Sequence, residues 1–232
     1  IFAAATAILF AAGVKLFWFA LGGGLGAVGV WLLLVVVGYN GSRIEMWKNP
    51  WAAPGDKGYQ IVQSLYAVAS GGLSGLGFGM SRQKFAYLPE EQNDYIFSIV
   101  CEEMGFIGAG IIIALFALLV IRGYWLALHA RDRFGALTIV GITTLMAVQV
   151  FLNIAVVTNL IPSTGIALPF FSYGGTALVI QLAEMGIVLS ISRQIPAPPE
   201  PAKKPLTRAE KKALKKAKKA EAKPAKAAEK AE

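Results

Sequence analysis

Long apolar runs, separated by short polar or glycine-rich stretches, dominate the first 193 residues of the chain. A bilayer core about 30 Å thick takes roughly 20 apolar helical residues to cross. Four segments reach that length: Leu16–Gly38, about Tyr95–Ile121 with Glu102 and Glu103 near its start, Ala136–Ile161, and Tyr173–Ser192. The run Ile1–Val14, closed by Lys15, reads as the remnant of a further span. It lacks a Met and a basic lead into a cleavage site, so the start reads as truncated. The pattern predicts an all-α protein, a polytopic transmembrane helical bundle.

One uncharged stretch of similar length, Tyr59–Met80, reads differently. Its second half holds Gly71, Gly72, Gly75, Gly77 and Gly79, and each Gly weakens a helix by up to about 1 kcal/mol relative to Ala. The spacing predicts a short helix Tyr59–Ser70 followed by a glycine-bent, re-entrant or interfacial loop. Irregular backbone at membrane depth has to be buried in protein or line a wet cavity, which points to a site.

Composition and charge sharpen this picture. Of 232 residues 56% are hydrophobic, too apolar for an ordinary soluble domain. Residues 1–192 carry nine Lys/Arg and nine Asp/Glu, whereas 193–232 carry thirteen Lys/Arg and five Glu, so the net charge of +8 sits in the tail. A lone Cys101 and a lone His129 give no support to an internal disulfide, a His-based metal site or redox chemistry. After Arg193 the hinge Pro196-Ala-Pro-Pro-Glu-Pro201 leads into Lys/Ala/Glu repeats, and residues 194–232 read as a disordered cytoplasmic tail. Its lysines suit anionic lipid head groups or plain solvation. Nothing aromatic or folded accompanies them, which argues against nucleic acid.

With Tyr59–Met80 not crossing, Lys15, the Arg122/Arg131/Arg133 loop and the tail share one side, cytoplasmic by the positive-inside rule. Residues 39–94 and 162–172 then lie outside. An extra crossing would also be tolerable on charge alone.

Ionisable residues at membrane depth are costly and therefore candidates for chemistry. The densest cluster is Glu90, Glu91, Asp94, Glu102 and Glu103, preceded by Arg82 and Lys84. A partly desolvated acid there has raised proton affinity and can act as a general base. Alternatively, Asn93 or Asp94 simply caps the helix that follows. Gln149 and Asn153, four apart on one helix face, either bond across the bundle or face a polar cavity. Glu184 lies inside the last span without a specific role. The connectors Pro162-Ser-Thr-Gly165 and Pro169-Phe-Phe-Ser-Tyr-Gly-Gly175 either offer N–H groups to an anion or form plain turns. The run Gly75-x-Gly77-x-Gly79 follows no strand and does not support dinucleotide binding.

Together these motifs resemble one family, the SEDS proteins of shape, elongation, division and sporulation. The likeness covers about residues 1–193, designated a partial SEDS transmembrane domain. It runs through Gly58-Tyr-Gln-Ile-Val-Gln-Ser64, Ser70-Gly-Gly-Leu73, Ser81-Arg-Gln-Lys84, Tyr87-Leu-Pro-Glu90, Asn93-Asp-Tyr-Ile-Phe97 and Gly105-Phe-Ile-Gly108. It continues with Asn153-Ile-Ala-Val-Val157, Pro162-Ser-Thr-Gly165 and Phe171-Ser-Tyr-Gly-Gly175. Ser81-Arg-Gln-Lys84 followed by Tyr-Leu-Pro-Glu is more similar to the FtsW and SpoVE branch than to the RodA branch. The resemblance implies about ten spans of roughly 20 residues each, of which this chain holds the last four and part of a fifth. Residues 39–94 become the large external loop.

The resemblance further implies that Asp94 is the residue tied to activity. Many relatives read His-Thr-Asp-Phe where this chain has Gln92-Asn-Asp-Tyr95. Substrate binding is expected of Arg82, Lys84, Glu90, Ser172, Tyr173, Gly174 and Gly175, with Gln149 and Asn153 in a polar cavity. The implied activity is that of a peptidoglycan glycosyltransferase polymerising lipid II at the septum of a bacterial plasma membrane. Asp94 would take the acceptor's proton while Arg82, Lys84 or a divalent cation (Mg or Mn) neutralises the undecaprenyl pyrophosphate that leaves. Such a base contributes about 10²–10⁴ in rate. The implied partners are a class B penicillin-binding protein against the spans and other division proteins. Two competing expectations are a lipid II flippase, with Gln149, Asn153 and Glu184 lining the path, and a scaffold for septal proteins.

Overall fold

The computed structural model describes residues 1–35, 41–52, 58–83 and 93–195, and every regular element among them is helical. In chain order these are α1 (Phe2–Ala11), α2 (Leu16–Val35), α3 (Gly41–Lys48), a single 3-10 turn (Pro50–Ala52), α4 (Tyr59–Ser70), α5 (Ile96–Leu128), α6 (Arg133–Val157) and α7 (Gly175–Ser192). Among the described residues α5, α6 and α7 are each long and apolar enough to cross a membrane. The 20-residue α2 covers most of the expected span Leu16–Gly38, whose last residues lie outside the described ones. The tail from Pro196 onward also lies outside them.

The stretch Tyr59–Met80 divides as its glycines predict: α4 ends at Ser70 and irregular backbone follows. Helix ends elsewhere move by a few residues for identifiable reasons. α5 does not stop near Ile121 but continues to Leu128, and within this extra stretch Arg122 lays its guanidinium over the Trp125 ring, 4.2 Å from the centroid. α6 starts three residues before the expected Ala136, because the Asp132 side chain accepts from the Gly135 N–H at 2.9 Å. It ends at Val157, not Ile161, since Asn159 turns left-handed at φ 57°. Neither Asn93 nor Asp94 caps α5. Tyr95 holds the cap position, and its own side chain makes no capping bond.

α5 and α6 form an antiparallel hairpin that supplies most of the core. Small residues let the helices close: a Cβ on Gly123 would strike the Thr143 side chain, and one on Gly141 would meet Ile8 of α1. Tyr124 and Thr144 share a hydrogen bond of 2.9 Å across the hairpin. The buried cluster gathers Tyr95, Phe97, Ile99, Ile112 and Phe116 of the α5 side against Val150, Val156 and Val157 of α6, with Leu168 from the following connector. α7 is thinly covered, with only Gln181 and Val188 buried.

The arrangement has two chemically distinct ends. Asp94, the connector 158–174 and the start of α7 share one of them. The other carries Arg133, with Ala11 and Ala12 of α1 beside it around a cleft of about 230 Å³. Ile191 of α7 also packs against Gly135 there.

Candidate active site at the Asp94 end

The irregular backbone after α4 is held by a break in α5. Gly105 interrupts that helix at φ 67°, ψ −169°, a conformation open in practice only to glycine. The last carbonyls before the break accept from the loop, Leu76 N–H to Glu102 O and Gly77 N–H to Glu103 O, both at 3.0 Å. The first amides after it donate back, Phe106 N–H to Gly72 O at 2.9 Å and Ile107 N–H to Leu73 O at 3.2 Å. Loop and helix thus satisfy each other's orphan groups, the condition for broken backbone in an apolar setting. Contact is too close for side chains: a Cβ on Gly71 would collide with the Cys101 carbonyl, and one on Gly75 with the Glu103 carbonyl.

Beyond the glycines, Glu102 fastens the loop. Its carboxylate, in a residue 1% exposed, accepts from the Ser81 hydroxyl, from Arg82 N–H at 3.1 Å and from Gln83 N–H at 3.3 Å. Three donors on one buried carboxylate make Glu102 an anchor and remove it from the catalytic candidates.

Asp94 sits eight residues before that anchor, just ahead of α5. The main chain on either side of it is gripped by side chains from elsewhere. Asn153 of α6, 1% exposed, donates from Nδ2 to the Asp94 carbonyl at 2.7 Å and to the Ile166 carbonyl at 2.8 Å. The Ser172 hydroxyl donates to the Asn93 carbonyl at 2.5 Å and accepts from Leu168 N–H at 2.7 Å. The carboxylate lies against Gly165, where an added Cβ would come within 3.3 Å of Asp94 Oδ2. Next door, Tyr95 is 2% exposed and its hydroxyl donates to Ser163 Oγ at 3.4 Å. Burial pushes the Tyr95 phenol above its ordinary range; the Ser163 bond opposes this, the Asp94 charge adds to it and Arg43 opposes it. Arg43 of α3 reaches the same turn, donating to the Ser163 carbonyl at 3.3 Å.

The expected site residues fall into three groups. Asp94, Asn153 and Ser172 come together, and Asn153 takes the bonding role of the two left open for it. Its partner in that reading, Gln149, lies one turn earlier on α6 and is half-buried. Arg82 keeps its side chain exposed, Tyr173 is 78% exposed, Gly174 is extended and Gly175 begins α7. Lys84 and Glu90 lie outside the described residues. Among the described residues no three His, Cys, Asp or Glu side chains converge as a metal site.

Several contributors escaped the sequence reading. Arg43 and Trp47, one turn apart on α3, both bond to the connector, Trp47 through Nε1 to the Asn159 carbonyl at 3.1 Å. Gln181 accepts the Phe170 N–H at 2.9 Å and so ties α7 to a residue at φ 63°. A polar residue inside an apolar span was the available signal for Gln181. The α3 pair carried none, because its partners lie more than a hundred positions away.

Comparison with known proteins places this geometry in context. The family model for cell cycle proteins of the FtsW/RodA/SpoVE type matches residues 1–196. Stage V sporulation protein E of Bacillus subtilis is 49% identical over 186 residues, covering 80% of this chain and 51% of that protein. A probable peptidoglycan glycosyltransferase FtsW of a Geobacter species is 45% identical over 194 residues, covering 83% and 53%. A chain in the solved structure of a peptidoglycan synthase complex, studied for its coordination of polymerization and crosslinking, superposes with a TM-score of 0.65 at 28% identity. That match covers 84% of this chain and 54% of the other. The chain thus spans about half the length of the curated relatives it matches.

Proposed function

Because this chain belongs to the FtsW/RodA/SpoVE family of cell cycle proteins, we propose that it carries the general base of a peptidoglycan glycosyltransferase that polymerises lipid II. The observation that carries the reading is the double grip on the backbone at Asp94, with the carboxylate laid against the Gly165 turn. Such support is what a group needs if it is to meet a substrate atom in a fixed geometry.

In the proposed step Asp94 removes the proton of the acceptor sugar's 4-hydroxyl as that oxygen attacks the donor's anomeric carbon. The new C–O bond forms on the face opposite the leaving group, giving inversion. The old C–O bond breaks with its electron pair going to undecaprenyl pyrophosphate, and the proton passes from Asp94 to water. A pyrophosphate leaving group needs neutralising charge more than a proton. Arg43 on the Ser163 turn supplies such charge beside the base, and Arg82 and Lys84 are the further cations proposed for the leaving group. A divalent cation, if one takes part, would add Lewis-acid charge at the same phosphates.

The basic loop Arg131/Arg133 and Arg193 cluster toward the end opposite Asp94, which favours a cytoplasmic placement of that end and of the tail. Asp94 then faces outward, where the sugar of a membrane-held lipid is presented. A class B penicillin-binding protein is the proposed partner and the division septum the proposed location. The peptidoglycan synthase complex to which the fold is similar supports the partner assignment.

The test is glycan polymerisation by the complete protein and its Asp94→Asn variant, with and without the partner, alongside a lipid translocation assay. Loss of polymer with translocation unchanged is the expected result. Loss of translocation with polymer intact would favour a flippase, and loss of complex assembly alone a scaffold.

A further inference from the structure

We infer that Asn153 is a positioning residue for Asp94, setting through one amide group both the main chain of the base and the wall beside its carboxylate; this rests on the general-base reading above. One hydrogen of Nδ2 goes to the Asp94 carbonyl at 2.7 Å. The other goes to the Ile166 carbonyl at 2.8 Å, adjoining Gly165, the residue that borders Asp94 Oδ2. Two segments far apart in sequence are thus indexed to a single side chain on α6, a rigid element. The orientation of the amide is fixed by chemistry, since a flipped amide would set its oxygen against two carbonyl oxygens.

A residue kept for packing alone would not take this form. Asn153 Oδ1 is buried and has no hydrogen-bond partner among the described residues. Carrying such an orphan acceptor is unfavourable, and an apolar side chain of like size would fill the site without it. What an apolar side chain would lack is the pair of donors. Ser172 complements the clamp from the connector by holding the preceding carbonyl, that of Asn93. Both groups on the Ser172 hydroxyl are engaged internally, so it too acts on Asp94 through the backbone.

The experiment uses the full-length protein with its transpeptidase partner and lipid II as the probe. Asn153→Asp keeps the volume and removes both N–H donors, leaving at most the single O–H of a protonated carboxyl to serve two carbonyls. The expected result is a fall in kcat of about 10–100-fold, the scale of a misplacement near 1 Å, with KM within about twofold of wild type. Ser172→Ala, a milder change, is expected to lower kcat in the same manner and leave KM unmoved. The double variant Asp94→Asn/Asn153→Asp is expected to be no slower than Asp94→Asn alone, since the two act as one unit.

Losses that multiply in the double variant would overturn the inference. So would a raised KM at constant kcat, or a wild-type kcat per folded molecule with only the melting temperature lowered. If Asp94→Asn abolishes polymerisation while Asn153→Asp and Ser172→Ala turn over normally, the positioning role falls and the general base stands. If Asp94→Asn turns over at the wild-type rate, both fall.

Discussion

Replacing Gly105 with Ala tests whether the break in α5 is a structural joint. The added Cβ would collide with the Gly75 amide nitrogen and the Leu73 carbonyl, so loop and helix have to separate. Separation removes the four cross-bonds at Leu76, Gly77, Phe106 and Ile107. At about 0.5–1.5 kcal/mol net for each, this amounts to roughly 2–6 kcal/mol. Holding Ala at φ 67°, ψ −169° instead adds about 1–3 kcal/mol of strain. Loss of the four cross-bonds alone, roughly 2–6 kcal/mol, is large beside the usual effect of a single substitution. Gly110→Ala is the matched control. It lies in the same helix with nothing within 4 Å of the added carbon, and is expected to be neutral or to stabilise by up to about 1 kcal/mol. The assay is thermal unfolding of the detergent-solubilised full-length protein, read with polymerisation at a temperature where wild type is folded. Melting of Gly105→Ala within about 1 °C of Gly110→Ala would refute the reasoning.

Two further outcomes follow from the same geometry. Glu102→Ala removes the carboxylate that accepts from the Ser81 hydroxyl and from the Arg82 and Gln83 amides; hydrogen exchange at those two amides is expected to rise about tenfold or more, while amides within α6 keep their protection. Tyr95 is buried with its phenol held above the ordinary 10.0, so the stability it contributes is complete below about pH 10 and is lost as pH rises toward the folded-state value. Tyr95→Phe, which cannot ionise, is expected to lose less stability than wild type as pH rises above about 10 in chemical denaturation, and equal slopes for the two would contradict this.

The helices were legible because bilayer-length apolar runs admit few alternatives, and the Tyr59–Met80 division was legible because clustered glycines weaken a helix in a way local sequence records. Asp94 entered through its acidic neighbourhood and the family likeness. What sequence could not show was the partner of each polar group. Glu102 and Asp94 look alike as acids eight positions apart, yet one takes three donors of the glycine loop and the other lies against the Gly165 turn. Ser172 read as a ligand-facing group and Asn153 as either a bonding or a cavity-facing one, and the fold turns each toward a backbone carbonyl. Arg43 was missed because a single basic residue in a polar stretch has no periodicity to mark it.

The stretch from Asn93 to Met104 is a short strut with a fastening at each end, Asn153 and Ser172 at one and the glycine loop with Glu102 at the other. From Asp94 to Glu102 it is about 12 Å long at the usual helical rise. Displacing Ser81 or Gln83 is therefore expected to tilt the strut and, with it, the main chain at Asp94.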